Sequence, residues 1–288
     1  MAVETCYIPQ NLEEALEIRK TTGAHPLAGG SDLMVAYKIG QGCTPKFPWP
    51  IMIITNLPEL KRIEKRPDGT VIIGALTTSA EIAASDLVPY HVKKAASLMG
   101  AVSLRNSATI GGNIGNASPK GDLPQPLVLL DADVVLASVG GERIMKLDEF
   151  ILGSKKTALR DDEIIEEIRI PEVQLTHLFY HKIGTRHANA ISKLTLSMGA
   201  YVEDGILKDF RACSGAAGPK VRRSREAEKL LIGLKVEEIP DHIAEFAKAW
   251  DGIISPHAMP EYRRNSTRRM IVSFLEKLAH GAEPGIYE

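Results

Sequence analysis

A chain of 288 residues, 44% hydrophobic and 25% charged, has enough material for about two domains with buried cores. Its 35 basic and 36 acidic residues nearly cancel, which argues against the broad cationic surface that nucleic-acid binding needs. A local basic pocket around Lys220, Arg222 and Arg223 is still compatible with that balance. Cys6, Cys43 and Cys213 are widely spaced and form no CxxC pair, so this chain alone builds neither a zinc site nor a cysteine-ligated cluster. A reduced, intracellular setting is the simpler reading. The stretch MAVETCYIPQ lacks the basic and apolar regions of a signal peptide, and no apolar run approaches a membrane span. A soluble cytoplasmic chain is expected.

The chain opens as strand, helix, strand. Asn11 is placed to cap the helix with Glu14 at capping-box spacing, and Leu12, Ala15, Leu16 and Ile18 form its apolar stripe. His25 to Ala28 reads as a short strand. Gly29-Gly30-Ser31-Asp32 follows at once, and Ser31 or Asp32 is positioned to cap a second helix through Leu33, Met34 and Tyr37. The proline-rich stretch 44–50 reads as loop, while 51–55 and 71–75 are β-branched strands with a turn signal at Pro67-Asp68-Gly69. The pattern predicts one helix over 80–99, a long glycine-rich loop over 103–122, and buried strands over 127–138 and 163–171.

Past about residue 172 the pattern changes. Leu194, Leu196, Met198, Ala200 and Val202 alternate with Lys193, Thr195, Ser197, Gly199 and Tyr201, as in a half-buried strand with Lys193 on its polar face. A second strand is expected over 206–215, then long helices from Arg225 and from Pro260. Mixed strands with late helices suggest an α+β C-terminal domain.

Two loops carry the chemistry: AGGSD at 28–32 and the run from Thr109 to Asp122. Each offers consecutive small residues whose backbone N–H groups can converge on an anion, and glycine permits close approach of a phosphate. The first also opens a helix, whose N-terminus favours negative charge. Asn113, Ser118 and Asp122 add side-chain groups suited to ribose and phosphate oxygens. The spacing fits neither GxGxxG nor a P-loop. Ordinary tight turns explain AGGSD alone better than a ligand does, and only the two loops together bring the readings nearer to even. No GxSxG presents Ser214 as a nucleophile, and His177, His181 and His187 lack carboxylates at metal-ligand spacing.

AGGSD followed by LRNSATIGGNIGNASPKGD resembles the FAD-binding, or medium, subunit of the molybdenum hydroxylases, the xanthine, nicotinate, aldehyde and carbon monoxide dehydrogenase type. The resemblance extends through NLPEL (56–60), IGALTT (73–78), Phe150, Gly153, KTAL (156–159), IRIP (168–171), the segment 179–195, GAAGPKVRR (215–223) and EYRR (261–264). It implies an α+β fold: a two-lobed FAD-binding domain of the PCMH, or vanillyl-alcohol-oxidase, type over 1–171, then a small α+β domain over 172–288. It further implies that Leu27, Ala28, Gly29, Gly30, Ser31, Asp32 and Leu33 wrap the pyrophosphate of FAD. Thr109, Ile110, Gly111, Gly112 and Asn113 would form the opposing loop. Asp122 would bind a sugar hydroxyl, Leu159 would pack near the isoalloxazine, and Lys193 would stand close to the flavin. Gly115, Asn189 and Ser103 depart from the family pattern.

In this family the molybdenum cofactor sits on a large subunit and two [2Fe–2S] clusters on a small one. The resemblance therefore implies a relay from those clusters through FAD to an acceptor such as NAD(P)+, within a hetero-oligomer acting on an N-heterocycle such as a purine. This chain would supply no acid, base or nucleophile. A stand-alone FAD-dependent oxidase and a non-catalytic nucleotide-binding protein are the alternatives.

Overall fold

The computed structural model describes residues 5–38, 40, 43, 45–186 and 188–287; Thr44 of the predicted loop and His187 lie outside them. A small parallel sheet comes first, with Ile51–Ile53 between Cys6–Tyr7 and His25–Leu27. The helix Leu12–Thr22 makes the crossover. The Asn11 side chain accepts from the Glu14 amide at 2.8 Å, and Gly23 ends the helix at a left-handed φ of 67°. Glu14 reaches back one residue further than a capping box would, to the Gln10 amide at 2.7 Å. Because the sheet is parallel, His25–Leu27 delivers the AGGSD loop to the carboxyl edge, where such sheets bind ligands.

A five-stranded antiparallel sheet follows, in the order Ile63–Lys65, Val71–Gly74, Ile164–Ile170, Asp133–Ser138, Gly141–Lys146. Helices pack on it around Ile73, Ile110, Ile114, Leu127 and Val134. A second five-stranded sheet orders Arg222–Arg223, Ile206–Gly215, Leu194–Glu203, His177–Ile183 and Gly285–Tyr287. Helices Ile239–Ile253 and Pro260–Ala279 cover one face of it around Phe210, Phe246, Trp250 and Phe274. The result is the two-domain α+β architecture that the pattern predicts.

Several elements differ from the sequence reading. The helix expected over 80–99 is two, Ser79–Ala84 and Tyr90–Ser97. Pro89 disfavours helical geometry at Val88 and starts the second one. The expected loop over 103–122 contains helices Val102–Ser107 and Ile110–Gly115. Gly111 there is a packing residue: a Cβ would lie 2.7 Å from that of Ala75. Of the apolar run 127–138, only Asp133–Ser138 is strand; Pro124–Leu129 is a helix, buried at every residue, with proline in its first turn. A continuous apolar run does not distinguish those two states.

The strand Leu194–Glu203 is buried on both faces through Ala200. Its polar-looking side faces the N-terminal domain, where the Ser197 hydroxyl donates to Gln125 Oε1 at 2.9 Å. Lys193 stands just before this strand and not on it. The helix at Arg225 runs only to Glu228, and the long one starts at Ile239.

Lys220 and Arg223 form no open basic pocket, because internal acceptors consume them. Lys220 donates to the Asp148 carbonyl at 2.7 Å, and Arg223 pairs with Glu228 at 2.9 Å. Arg211, Arg223 and Arg225 converge on Asp131 at 2.9, 2.7 and 2.5 Å. Burial alone would raise the Asp131 pKa, but Arg223, Arg225 and Arg211 outweigh it and hold the carboxyl below its usual range. A lowered folded-state pKa contributes stability that is present above the unfolded value, about 3.9, and is lost as pH falls through the folded one. Asp131→Asn is therefore expected to lower the urea midpoint at pH 7, with the gap to wild type narrowing as pH falls from about 5 to about 3. A gap independent of pH would remove this network from the account of stability.

Candidate functional site

Between the AGGSD loop and the helix Ile110–Gly115 lies a cavity of about 460 Å³. It is lined below by Ile164 and Ile165 of the antiparallel sheet and by Ala75 and Leu76, just past its strand Val71–Gly74. The first loop is shaped for it. Gly30 takes a left-handed φ of 65° while its carbonyl accepts the Met34 amide at 2.9 Å. The amides of Gly29, Gly30, Ser31 and Asp32 have no hydrogen-bond partner among the described residues. Four consecutive unpartnered donors on one loop suit an anion. Asp32 precedes the short helix Leu33–Ala36 without capping it through its side chain. That carboxylate instead accepts from Asn116 Nδ2.

The second loop works differently from the sequence reading. Its amides turn inward: Ile110 donates to Thr77 at 3.0 Å and Gly111 to Ala75 at 2.9 Å. Gly112 donates to the Thr109 hydroxyl at 3.1 Å, which caps the helix, and Asn113 donates to the Thr109 carbonyl at 2.9 Å. This loop gives the cavity a close, small-residue wall and spends those donors on the fold.

Two polar residues that sequence reasoning passed over complete the rim. Asn116 joins the loops by donating to Asp32 and accepting from Lys155 Nζ. Lys155 adopts a left-handed φ of 58°, and its amide donates to the Ala117 carbonyl at 2.9 Å. Arg19, at the inner wall, gives its Nε to the Glu163 carbonyl at 3.3 Å and its Nη1 to Gly23 and Ala24 at 3.1 Å. His25 stacks on Trp49 at 4.1 Å, and burial together with Arg19 pushes its pKa down, favouring the neutral ring.

Of the residues singled out in the sequence, Leu27 to Leu33, Thr109, Gly111, Gly112, Asn113 and Leu159 form the cavity wall. Ile110 is fully buried in the hydrophobic core behind it. Ser118 accepts the Lys120 amide at 3.3 Å away from the wall. Asp122 is turned toward the C-terminal domain, where its carboxylate meets Lys182 at 2.8 Å and the Ser192 hydroxyl at 2.7 Å. Burial pushes its pKa up, against the pull of Lys182 and Ser192. Lys193 follows Ser192 with its amide on the Ile183 carbonyl at 2.7 Å, outside the wall. Among the described residues, no three His, Cys, Asp or Glu side chains converge as metal ligands. No described helix is long and apolar enough to cross a membrane.

Residues 2–173 match the family described as the FAD binding domain in molybdopterin dehydrogenase, and residues 179–278 the CO dehydrogenase flavoprotein C-terminal domain. The chain is a flavoprotein subunit of the molybdenum hydroxylase family. It is 30% identical to the glyceraldehyde dehydrogenase medium chain of Sulfolobus acidocaldarius, over 92% of this chain and 93% of that one. It is also 30% identical to the nicotinate dehydrogenase FAD-subunit of Eubacterium barkeri, over 96% and 97%. In fold it superposes on a carbon monoxide dehydrogenase chain from Hydrogenophaga pseudoflava with a TM-score of 0.85 at 24% identity, covering 98% of this chain and 99% of that one.

The cavity of this flavoprotein subunit fits FAD on its own chemistry. Its volume lies within the range of cofactor sites, its floor is apolar, and its unpartnered amides lie on a glycine loop of the wall that permits close approach of an anion.

Proposed function

We propose that this subunit relays electrons from [2Fe–2S] clusters on a small partner, through FAD, to an acceptor such as NAD(P)+, while a large partner carries the molybdenum cofactor. Bound flavin supplies the step that takes electrons singly and passes them on as a pair. The observation that carries the reading is the row of free amides from Gly29 to Asp32, on a loop that lines a cavity also walled by Thr109, Gly111, Gly112 and Asn113. Gly29 to Asp32 hold the diphosphate through their N–H groups, and Leu27 and Leu33 flank it. Leu159 packs on the ring system. Lys193, next to the anchored Ser192 and outside the cavity wall, would supply positive charge from the C-terminal domain and so favour negative charge on the ring.

The division between the two domains is placed near residue 171, and the complex is assigned to the cytoplasm. Kinship with a nicotinate dehydrogenase subunit supports an N-heterocycle as the substrate of the complex, bound on the large partner. The test is titration of the purified chain with FAD, followed by isolation from its native host. One FAD per chain, molybdenum and iron in the copurifying subunits, and no turnover by the chain alone are expected. A chain that takes no FAD would end the relay reading, and turnover in isolation would replace it with a self-sufficient oxidase.

A further inference from the structure

We propose that Lys155 is the cation that closes the diphosphate end of the cavity, exchanging its bond to Asn116 for the phosphate oxygens. The inference rests on the FAD reading above. Five residues of the cavity wall bear ionisable side chains: Arg19, His25, Asp32, Lys155 and Asp161. Asp32 and Asp161 have the wrong sign for an anion. Arg19 is 5% exposed, with its Nε and Nη1 spent on the carbonyls of Glu163, Gly23 and Ala24. His25, buried beside Arg19, favours the uncharged form.

Among the described residues of the wall, Lys155 is the cation left over. Its ammonium donates to one neutral acceptor, Asn116 Oδ1, and has two further N–H donors to offer anionic oxygens. Asn116 in turn bridges to Asp32, the last residue of the free-amide loop, so the ammonium stands at the edge where those amides lie. The backbone argues the same way. Lys155 occupies a left-handed turn between the short strands Ile151–Gly153 and Lys156–Thr157, pinned by its amide to Ala117. Glycine or asparagine would serve that turn with less strain. A lysine there places a charge the turn itself does not need. The neighbouring Lys156, outside the cavity wall, is the internal control.

The experiment uses the full chain, with FAD and ADP as probes, comparing wild type with Lys155→Met, Lys155→Arg and Lys156→Met. Lys155→Met is expected to weaken both ligands about tenfold, as loss of one charge-assisted contact would. It should also flatten the salt dependence of binding while leaving the melting temperature of the ligand-free chain unchanged. Lys155→Arg should keep most of the affinity, and Lys156→Met should match wild type. Wild-type affinity in Lys155→Met overturns the assignment and leaves FAD binding intact. A parallel fall in ligand-free stability and affinity overturns it in favour of a turn-forming role. A wild-type chain that binds neither FAD nor ADP overturns the assignment together with the FAD reading.

Discussion

Replacing Asp122 by asparagine is expected to cost about 3 kcal/mol of folding stability, because it strands the ammonium of Lys182 in the interface between the two domains. The side chains of Lys182 and Asp122 are only 6% and 9% exposed, and their charged atoms are 2.8 Å apart. Lys182 also donates to the Leu98 carbonyl at 3.0 Å, and Ser192 donates to the other carboxylate oxygen at 2.7 Å. Nearby, burial raises the pKa of Tyr180 far above its ordinary value, reinforced by the Asp122 charge. This is a dry environment in which an unpaired charge is costly. The pair as a whole need not be stabilising, since desolvating two ions opposes their attraction. The single variant and the double variant Asp122→Asn with Lys182→Met therefore diverge: the second change should recover most of the loss. Urea unfolding of wild type, both singles and the double measures the coupling. A single variant within about 0.5 kcal/mol of wild type would show that water reaches the pair, and the interface would have to be rebuilt from its apolar contacts alone.

That pair also shows where the sequence was legible and where it was not. Asn11 announces the first helix because cap chemistry is local, and it sits where the pattern puts it. The glycines of AGGSD announce close backbone approach for the same reason. Asp122 carries no local mark of its partner, which comes from Lys182, 60 residues along the chain. The alternation from Lys193 to Val202 suggested a solvent-facing side, yet Thr195 and Ser197 are buried because a whole domain covers them. Small polar residues suit a wet face and a tightly packed interface equally well. The second glycine loop misled in a different way. Gly111 is small so that a helix can meet the sheet at Ala75, and its amide belongs to the Ala75 carbonyl. Lys155 and Asn116 were missed because a lysine in a polar turn normally faces solvent, and only the fold brings it over the cavity.

Gly29→Ala should be the most damaging single substitution in the binding loop, weakening FAD by at least about a hundredfold. A Cβ on Gly29 would stand 1.7 Å from the carbonyl oxygen of Ser107 and 3.2 Å from the amide of Ala108. Both are backbone atoms, so no side-chain rotation relieves the clash. The loop carrying the free amides must move by about 1 Å or more away from the helix Val102–Ser107, and losing one or two hydrogen bonds to a charged group, about 1.5–3 kcal/mol each, weakens binding about a hundredfold. Thr109 is two residues past the end of that helix, so the opposing wall is strained as well. Overpacking of this kind also costs about 1–3 kcal/mol of stability, which thermal melting of the ligand-free chain would register. Gly153→Ala is the matched control, since nothing lies within 4 Å of its added methyl group. An FAD affinity within about threefold of wild type in Gly29→Ala, where the expected loss is about a hundredfold, would mean the diphosphate does not depend on this wedge. The amides of Gly29 to Asp32 would then have to be serving some other anion.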